Sequence, residues 1–283
     1  MTSDPKPADA AEGAGVEEQP APACVMSFNA ADPSGAGGMA GDVATIAAMG
    51  AHALPVIATI VMRDTAEVFD QHALDPDVIA EQARSILEDV TIAAWKVGFL
   101  GSAEGVSAVA EILSDYPDVP LVAYMPNLSW LEEDPQQAYL DAFRELVLPQ
   151  TEVLVGSHQT LTDFLLPDWD NERPASPREL AVAAGEHGTR FVLVTSVLVQ
   201  SSKNQDQFMD NVLASGAELQ AAVGEALTFL DQSLDAGFRP GMGNVVPDRF
   251  FWALPAGEEG EPGGEAEPGA DDATAPKNPR HVH

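Results

Sequence analysis

The sequence predicts a three-layer αβα sandwich with a mostly parallel central sheet. Short runs that are apolar throughout alternate with segments whose apolar residues recur about every 3.6 positions. Because the apolar runs lack the alternation of a half-exposed strand, each strand is expected to be covered on both faces. The chain has 283 residues, of which 45% are hydrophobic, and this is enough for a sizeable core.

The elements follow one another in a regular order. The predicted strands are the runs CVMSF, LPVIATIVM, IAAWKVGFLG, PLVAYMP, EVLVGS and RFVLVTSVLV, at 24–28, 54–62, 92–101, 120–126, 152–157 and 190–199. The predicted helices lie at 41–51, 76–90, 104–116, 135–148, 161–166, 177–187 and 217–238, with a short helical stretch at 208–214. Ligands of such sheets bind beyond the carboxyl ends of the strands, so the candidate site lies there.

Both ends of the chain differ from its middle. Residues 1–22 are rich in Ala, Pro, Glu and Asp, and residues 256–283 are rich in Gly, Pro and acidic residues. Such segments cannot bury enough apolar surface to offset the entropy of ordering them, so both are predicted to be disordered tails. Residues 23–255 are left as a single α/β domain.

The charge of the chain limits its partners. It carries 13 Lys and Arg against 45 Asp and Glu, for a net charge of −32. This balance argues against nucleic acid or an anionic membrane as the main partner, although one local basic group can still hold a nucleotide. We find no apolar run long enough to span a membrane, no signal-peptide pattern and no histidine spacing typical of a metal site. A cytoplasmic protein is therefore expected.

The stretch DPSGAGGMAGD, at 32–42, connects the first predicted strand to the first predicted helix. A glycine-rich turn in this place commonly holds a phosphate. Asp42 either caps the helix that follows or accepts a hydrogen bond from a ligand. Asp32 either caps the helix or tightens the turn.

Three segments in this order resemble the hydroxymethylpyrimidine kinase/phosphomethylpyrimidine kinase family of thiamine biosynthesis, which has the ribokinase-like fold. They are AADPSGAGGMAGD, VIATIVMRDT and WKVGFLGSAEGV, and the likeness extends from about residue 24 to residue 252, where GMGNVVPDRFFW closes it. The resemblance implies transfer of the γ-phosphoryl group of ATP, with Mg²⁺, to a pyrimidine alcohol or its phosphate. A small-molecule pyrimidine is thus the expected partner.

The resemblance also implies that the glycine-rich loop encloses the pyrimidine rather than a phosphate. Gly35 and Gly37 would let the backbone approach the ring, and Asp42 would accept from its hydroxymethyl or amino group. Phe99 either packs on the ring or belongs to the ordinary core. Arg63 stands where the family has a glutamine that bonds the pyrimidine. Either the ligand or its pose therefore differs here, or Arg63 lies on the surface.

The phosphate side departs from the family pattern. Phosphoryl transfer needs a metal ion, donors for the developing charge and a base for the attacking hydroxyl. The family has an Asp-Pro pair, an Asn with a Glu three residues later, and a Lys-Gly-Gly stretch. The residues found at these three places are Met125-Pro126, His158 with Leu161, and Thr195-Ser196-Val197.

A block of residues is missing, by the same comparison, between about 199 and 217. Relatives carry there a strand hairpin and a Gly-x-Gly turn that forms the anion hole, and the stretch VTSVLVQSSKNQDQFMDNVLASG leaves no room for the hairpin. The remnant KNQDQF places Asp206 at the catalytic base position, unless Asp206 is an ordinary loop residue. The chain is thus either a kinase or a non-catalytic pyrimidine-binding or regulatory paralogue. Apolar surface exposed by the missing block would favour a homodimer or a poorly folding truncated form.

Overall fold

The computed structural model of the chain describes residues 21–200, 207–213 and 220–253. These residues form a mixed, mostly parallel sheet with the strand order β3-β2-β1-β4-β5-β6-β7-β8. The strands are β1 Cys24–Ala31, β2 His52–Arg63, β3 Val68–Ala73, β4 Ala94–Val97, β5 Leu121–Tyr124, β6 Val153–Ser157, β7 Phe191–Gln200 and β8 Gln207–Leu213. The two edge strands, β3 and β8, are antiparallel to their neighbours, and the remaining pairs are parallel.

Among the described residues, six helices lie in the connections between strands, and a seventh follows β8. They are α1 Gly38–Ala48, α2 Pro76–Leu87, α3 Ala103–Ser114, α4 Glu133–Ala142, α5 His158–Leu165, α6 Pro177–Glu186 and α7 Gln220–Asp235. Helix α4 continues into a π-helical turn at Phe143–Val147 and a 3₁₀ turn at Leu148–Gln150, and a further 3₁₀ turn spans Phe251–Ala253. Helices α2, α3, α5 and α6 begin at side chains that accept a backbone N–H of the first turn, as polar cap residues do.

Alternate residues of the strands distinguish the two faces of the sheet. Ser27 of β1 and Lys96 of β4 both bond Asp42 of α1, so α1 covers this face. Phe28 of β1 packs on Trp95 of β4, and Trp95 packs on Tyr116, which follows α3. Helix α3 thus covers the opposite face, with α2 and α4 on either side of it. The predicted fold class, three layers around a mostly parallel sheet, is confirmed.

Two elements differ from the sequence prediction. Within the stretch at 208–214, which was expected to be helical, the described residues 208–213 lie in strand β8, which pairs antiparallel with β7. Backbone pairing with a long neighbouring strand outweighs a weak local helical pattern. One returning strand therefore fits where no room for a strand hairpin was expected. Strand β3 was not predicted, because an edge strand reading VFDQHA is half exposed and has no continuous apolar run.

Candidate functional site

The candidate site lies beyond the carboxyl ends of β2, β1 and β4, which are neighbours in the sheet. Three connections meet there: the glycine-rich loop after β1, the turn between β2 and β3, and the loop from β4 to α3. Because parallel strands end at the same edge, residues far apart in the sequence become neighbours.

Asp42 is the centre of a partly buried polar network. Its Oδ2 atom accepts from Ser27 Oγ at 2.6 Å, from Asn29 Nδ2 at 2.8 Å and from Lys96 Nζ at 2.8 Å. No donor within the described ranges bonds its Oδ1 atom. Burial lowers the pKa of Lys96, and the attraction of Asp42 opposes that effect only in part. Asp42 is thus fixed through one oxygen, and its other oxygen can accept from a ligand.

The glycine-rich loop is tightened by Asp32. The Oδ1 atom of Asp32 accepts from the backbone N–H of Ser34 at 2.8 Å and from its hydroxyl at 2.6 Å. Gly35 and Gly38 have φ values of +69° and +59°, and a Cβ on Gly38 would overlap the Ala30 carbonyl oxygen, at 2.6 Å. These contacts agree with the expectation that Asp32 tightens the turn.

Asp42 does not cap helix α1, which corrects one of the two alternatives raised by the sequence. The helix begins at Gly38, and its N-cap residue is Gly37. Asp42 therefore lies in the second turn of the helix, where it faces the sheet. The three glycines before Met39 permit the chain to become helical earlier than the apolar pattern suggests.

Arg63 joins the β2–β3 turn to the glycine-rich loop. Its Nη1 atom lies 3.3 Å from Asp32 Oδ2, and its Nε donates to the Asp64 carbonyl oxygen at 3.0 Å. The side chain is 22% exposed, so it lies neither wholly on the surface nor in the core. Its remaining N–H groups are in a position to meet a ligand at the mouth of the site.

Phe99 is mostly a core residue. Its ring packs against Trp130 and Tyr139, with centroid distances of 5.5 and 5.4 Å, and the residue is 7% exposed. Its backbone N–H donates to Asn29 Oδ1 at 3.1 Å. Asn29 thereby connects β1, α1 and the β4–α3 loop, and a Cβ on Gly98 would collide with its side-chain amide.

Sequence reasoning missed most members of the network. Ser27 and Asn29 interrupt the apolar run of β1, and Lys96 interrupts that of β4. A polar residue inside a fully buried strand is a signal, because it needs a partner. The partner itself could not be read from the sequence, since Lys96 lies 54 positions from Asp42.

The C-terminal segment also reaches the site. The backbone N–H of Gly243 donates to Thr65 Oγ1 at 3.0 Å, and that of Asn244 donates to the Thr65 carbonyl oxygen at 2.9 Å. Arg249 donates through Nη2 to the Ala36 carbonyl oxygen at 2.8 Å. The segment thus contacts both the β2–β3 turn and the glycine-rich loop.

The carboxyl ends of β5 and β6 are chemically different. Met125 and Leu161 are completely buried, and an apolar side chain cannot bind a metal ion. His158 Nε2 lies 2.6 Å from the Ala175 carbonyl oxygen, so this ring is engaged by the fold. Asp163 accepts from Gln159 at 2.8 Å. A cavity of about 250 Å³ between these strand ends is lined by neutral and acidic residues.

The described residues offer no ready-made cluster of ligands for the Mg²⁺ that the family resemblance implies. Within the described ranges, no three His, Cys, Asp or Glu side chains form a group that could hold a metal ion. Asp206, the candidate catalytic base, lies outside the described residues.

None of the helices in the described part of the chain is long and apolar enough to cross a membrane.

Known proteins match the chain in sequence. The sequence profile of the family described as phosphomethylpyrimidine kinase matches residues 32–212. The chain is 36% identical over 268 residues to the hydroxymethylpyrimidine/phosphomethylpyrimidine kinase of Escherichia coli K12, with 80% of this chain and 98% of that protein covered. It is 29% identical over 242 residues to the chloroplastic thiamine biosynthetic bifunctional enzyme of Arabidopsis thaliana, with 75% of this chain but only 46% of that enzyme covered.

Solved structures match the fold. An ADP complex of Bacillus subtilis pyridoxal kinase gives a TM-score of 0.68 at 14% identity, with 83% of this chain and all of that chain (100%) covered. Phosphomethylpyrimidine kinase from Clostridium difficile 630 gives a TM-score of 0.56 at 19% identity, with 72% and 90% covered. The fold is therefore that of a ribokinase-like α/β protein. Within that class, the chain belongs to the phosphomethylpyrimidine kinase family.

Proposed function

We propose that the chain binds a hydroxymethylpyrimidine at the carboxyl ends of β1, β2 and β4 and serves thiamine biosynthesis as a hydroxymethylpyrimidine/phosphomethylpyrimidine kinase. The observation that carries this proposal is the network around Asp42. Three donors fix Oδ2, while Oδ1 keeps its capacity to accept from the amino or hydroxymethyl group of the ring. Membership of the family supports the same activity.

Each neighbouring residue has a role in this proposal. Gly35 and Gly37 have no side chain to block the approach of a flat ring to the backbone of the loop. Arg63 stands at the edge of the ring in place of the glutamine of the family, and it offers donors only. Phe99 offers an apolar contact from beneath the site, where Trp130 and Tyr139 hold its ring. ATP would supply the phosphoryl group, and Asp206 is proposed as the base.

A second candidate function is pyrimidine binding without phosphoryl transfer. The observation in its favour is the apolar character of Met125 and Leu161, which occupy places where the family pattern has metal- and phosphate-side residues. A regulatory or sensing role would need only the substrate side. We further propose a cytoplasmic location and a homodimer. The net charge of −32 supports neither nucleic acid nor an anionic membrane as a partner.

One pair of assays separates the two functions. Purified protein is incubated with hydroxymethylpyrimidine and Mg·ATP, and ADP formation is compared with that of an Asp206→Asn variant and a mock preparation. The kinase proposal expects turnover above both controls. Turnover equal to the mock preparation, together with calorimetric binding of the pyrimidine but not of Mg·ATP, would favour the non-catalytic binder.

The Arg63→Gln variant tests the identity of the ligand. Glutamine offers an acceptor as well as donors, whereas arginine offers donors only. We expect the variant to bind hydroxymethylpyrimidine about tenfold more tightly, as one additional hydrogen bond would allow. Unchanged or weaker affinity would mean that Arg63 already makes the contact that the native ligand needs.

A further inference from the structure

We propose that Arg249 is a positioning residue of the pyrimidine site, which turns the peptide group between Ala36 and Gly37 so that the Gly37 N–H faces the ligand. The inference rests on the proposed function, because it assigns a donor to the same ligand. It adds a residue from the C-terminal segment that no sequence motif indicates.

The guanidinium of Arg249 lies directly on the glycine-rich loop. Its Nη2 donates to the Ala36 carbonyl oxygen at 2.8 Å, and Nη1 donates weakly to the Gly35 carbonyl oxygen at 3.5 Å. A Cβ on Gly41 would lie only 3.0 Å from Nη2. The arginine therefore occupies the space that a glycine at position 41 leaves open.

The charge of Arg249 has no carboxylate partner among the described residues. Among the Lys and Arg residues of the described ranges, three have no carboxylate oxygen within 4.0 Å, namely Arg178, Arg239 and Arg249. Arg178 and Arg239 are exposed, whereas Arg249 is half-buried. Burial lowers the pKa of Arg249, and Asp42 opposes this shift from a distance. The free-energy cost of burying this cation is offset mainly by its hydrogen bonds to the Ala36 and Gly35 carbonyl groups.

The orientation of the loop carbonyl fixes the next amide. In a planar trans peptide the C=O and N–H bonds point in opposite directions. Because the Ala36 carbonyl oxygen points at Arg249, the N–H of Gly37 points away from it. That N–H has no acceptor among residues 21–200, 207–213 and 220–253. It is therefore free to donate to a ring nitrogen or oxygen of a bound pyrimidine.

The three amides that precede Gly37 in the loop are already used. The N–H groups of Ser34 and Gly35 donate to Asp32, and that of Ala36 donates to Ser34 Oγ at 3.2 Å. Asp32 thus organises the first half of the loop, and Arg249 organises the second half. The loop needs both anchors to keep the Gly37 amide in one orientation.

Backbone hydrogen bonds hold the C-terminal segment that carries Arg249. Phe238 and Val246 exchange two backbone hydrogen bonds of 3.0 and 2.8 Å, which closes the segment between them. The Asp248 N–H donates to the Ser233 carbonyl oxygen of α7 at 2.8 Å. Thr65 holds the middle of the segment. Since this segment is hydrogen-bonded to α7 and to Thr65, the guanidinium is held at the loop before a ligand binds.

The test compares Arg249→Gln and Arg249→Lys with Arg178→Gln, a matched control at an exposed arginine. Calorimetry measures the affinity for hydroxymethylpyrimidine, and ¹⁵N NMR follows the Gly37 amide. We expect the pyrimidine to shift the Gly37 resonance in the wild type and in the control. Arg249→Gln should bind about tenfold more weakly and lose that shift, and Arg249→Lys should recover part of both.

Unchanged affinity and an unchanged Gly37 shift in Arg249→Gln would overturn the proposal. If the wild type binds no pyrimidine, the proposed function fails, and the positioning role is then judged in the free protein. There, we expect faster hydrogen exchange of the Ala36 amide, which donates to Ser34 Oγ, in Arg249→Gln than in the control. Equal exchange would overturn it, and should Arg249→Gln not fold, Arg249→Lys gives the same comparison.

Discussion

The carboxyl ends of β1, β2 and β4 differ from those of β5 and β6, although one continuous sheet carries both. At the first set, Asp42 gathers a serine, an asparagine and a lysine, and Asp32 pairs with Arg63. At the second set, Met125 and Leu161 are buried in the core. The sheet can therefore be built with either chemistry at its edge. In a polar network every buried group needs a hydrogen-bond partner, whereas apolar side chains at the edge of a sheet need only close packing.

The covering of the sheet differs in the same way. Ser27, Lys96 and Val122 are partners in the sheet and share the face that α1 covers. On that face Lys96 is well covered, whereas Val122 and Tyr124 of β5 are 37% and 42% exposed. Lys96 is thus better protected than the β5 residues on the same face of the sheet.

The largest expected effect comes from placing a carboxylate at the apolar edge. Met125→Asp would bury an unpaired charge at a completely buried position, which we expect to cost about 3–5 kcal/mol of unfolding free energy. The control, Met125→Leu, should cost less than about 1.5 kcal/mol because it conserves volume. Denaturant unfolding measures both. If Met125→Asp is as stable as the wild type and binds Mg²⁺, then the contrast between the two edges is wrong.

The next effect concerns the centre of the polar network. Asp42→Asn removes the carboxylate that faces Lys96, and we expect a loss of about 2–4 kcal/mol because the lysine is left buried without a counter-charge. The double variant Asp42→Asn/Lys96→Met should recover part of this loss. The measurement is a double-mutant cycle of unfolding free energies. Strictly additive losses would show that the two side chains do not stabilise one another.

A smaller effect is expected from crowding the network. In Gly98→Ala the new Cβ would collide with Asn29, so the amide must move away from Asp42 or from the Phe99 N–H. We expect a cost of about 1–3 kcal/mol. Gly185→Ala is the matched control, since this exposed glycine of α6 has open space around it and the same change should stabilise by up to about 1 kcal/mol. Equal behaviour of the two variants would mean that Asn29 is free to relocate.

The smallest effect is a pH dependence. Because burial lowers the pKa of Lys96 below 10.5, the folded chain binds this proton less tightly than the unfolded chain does. Stability therefore rises as the pH increases from neutral towards the pKa of the unfolded lysine. We expect the unfolding free energy of the wild type, relative to Lys96→Met, to be higher near pH ~9.5 than near pH ~7. Ionisation of tyrosines cancels in this difference, and a difference that falls with pH would contradict the assigned shift.

The fold was predictable because its signal is local. Apolar runs and helical periodicity repeat along the chain, and each predicts one element without knowledge of the others. The prediction failed at 208–214, where pairing with β7 decides the structure, and at β3, an edge strand without an apolar run. Both failures concern edge strands, whose conformation depends on a neighbour.

The site was less predictable because its contacts are long-range. The placement of Gly35, Gly37, Asp42 and Arg63 near the carboxyl ends of the first two strands follows from the sequence. The donors that fix Asp42 do not, and neither does Arg249, which reaches the loop from 213 positions away. The role of these residues as ligand contacts, and that of Asp206 as a base, remain predictions.

The most direct test of the account is a calorimetric titration of the wild-type protein with hydroxymethylpyrimidine in the absence of nucleotide. The Asp42→Asn variant is titrated in parallel, after circular dichroism has shown that both proteins are folded. We predict saturable one-site binding to the wild type and an affinity at least about tenfold weaker in the variant. A folded wild-type protein that gives no binding heat, in agreement with an equilibrium dialysis measurement, would contradict the claim that this half of the sheet forms a pyrimidine site.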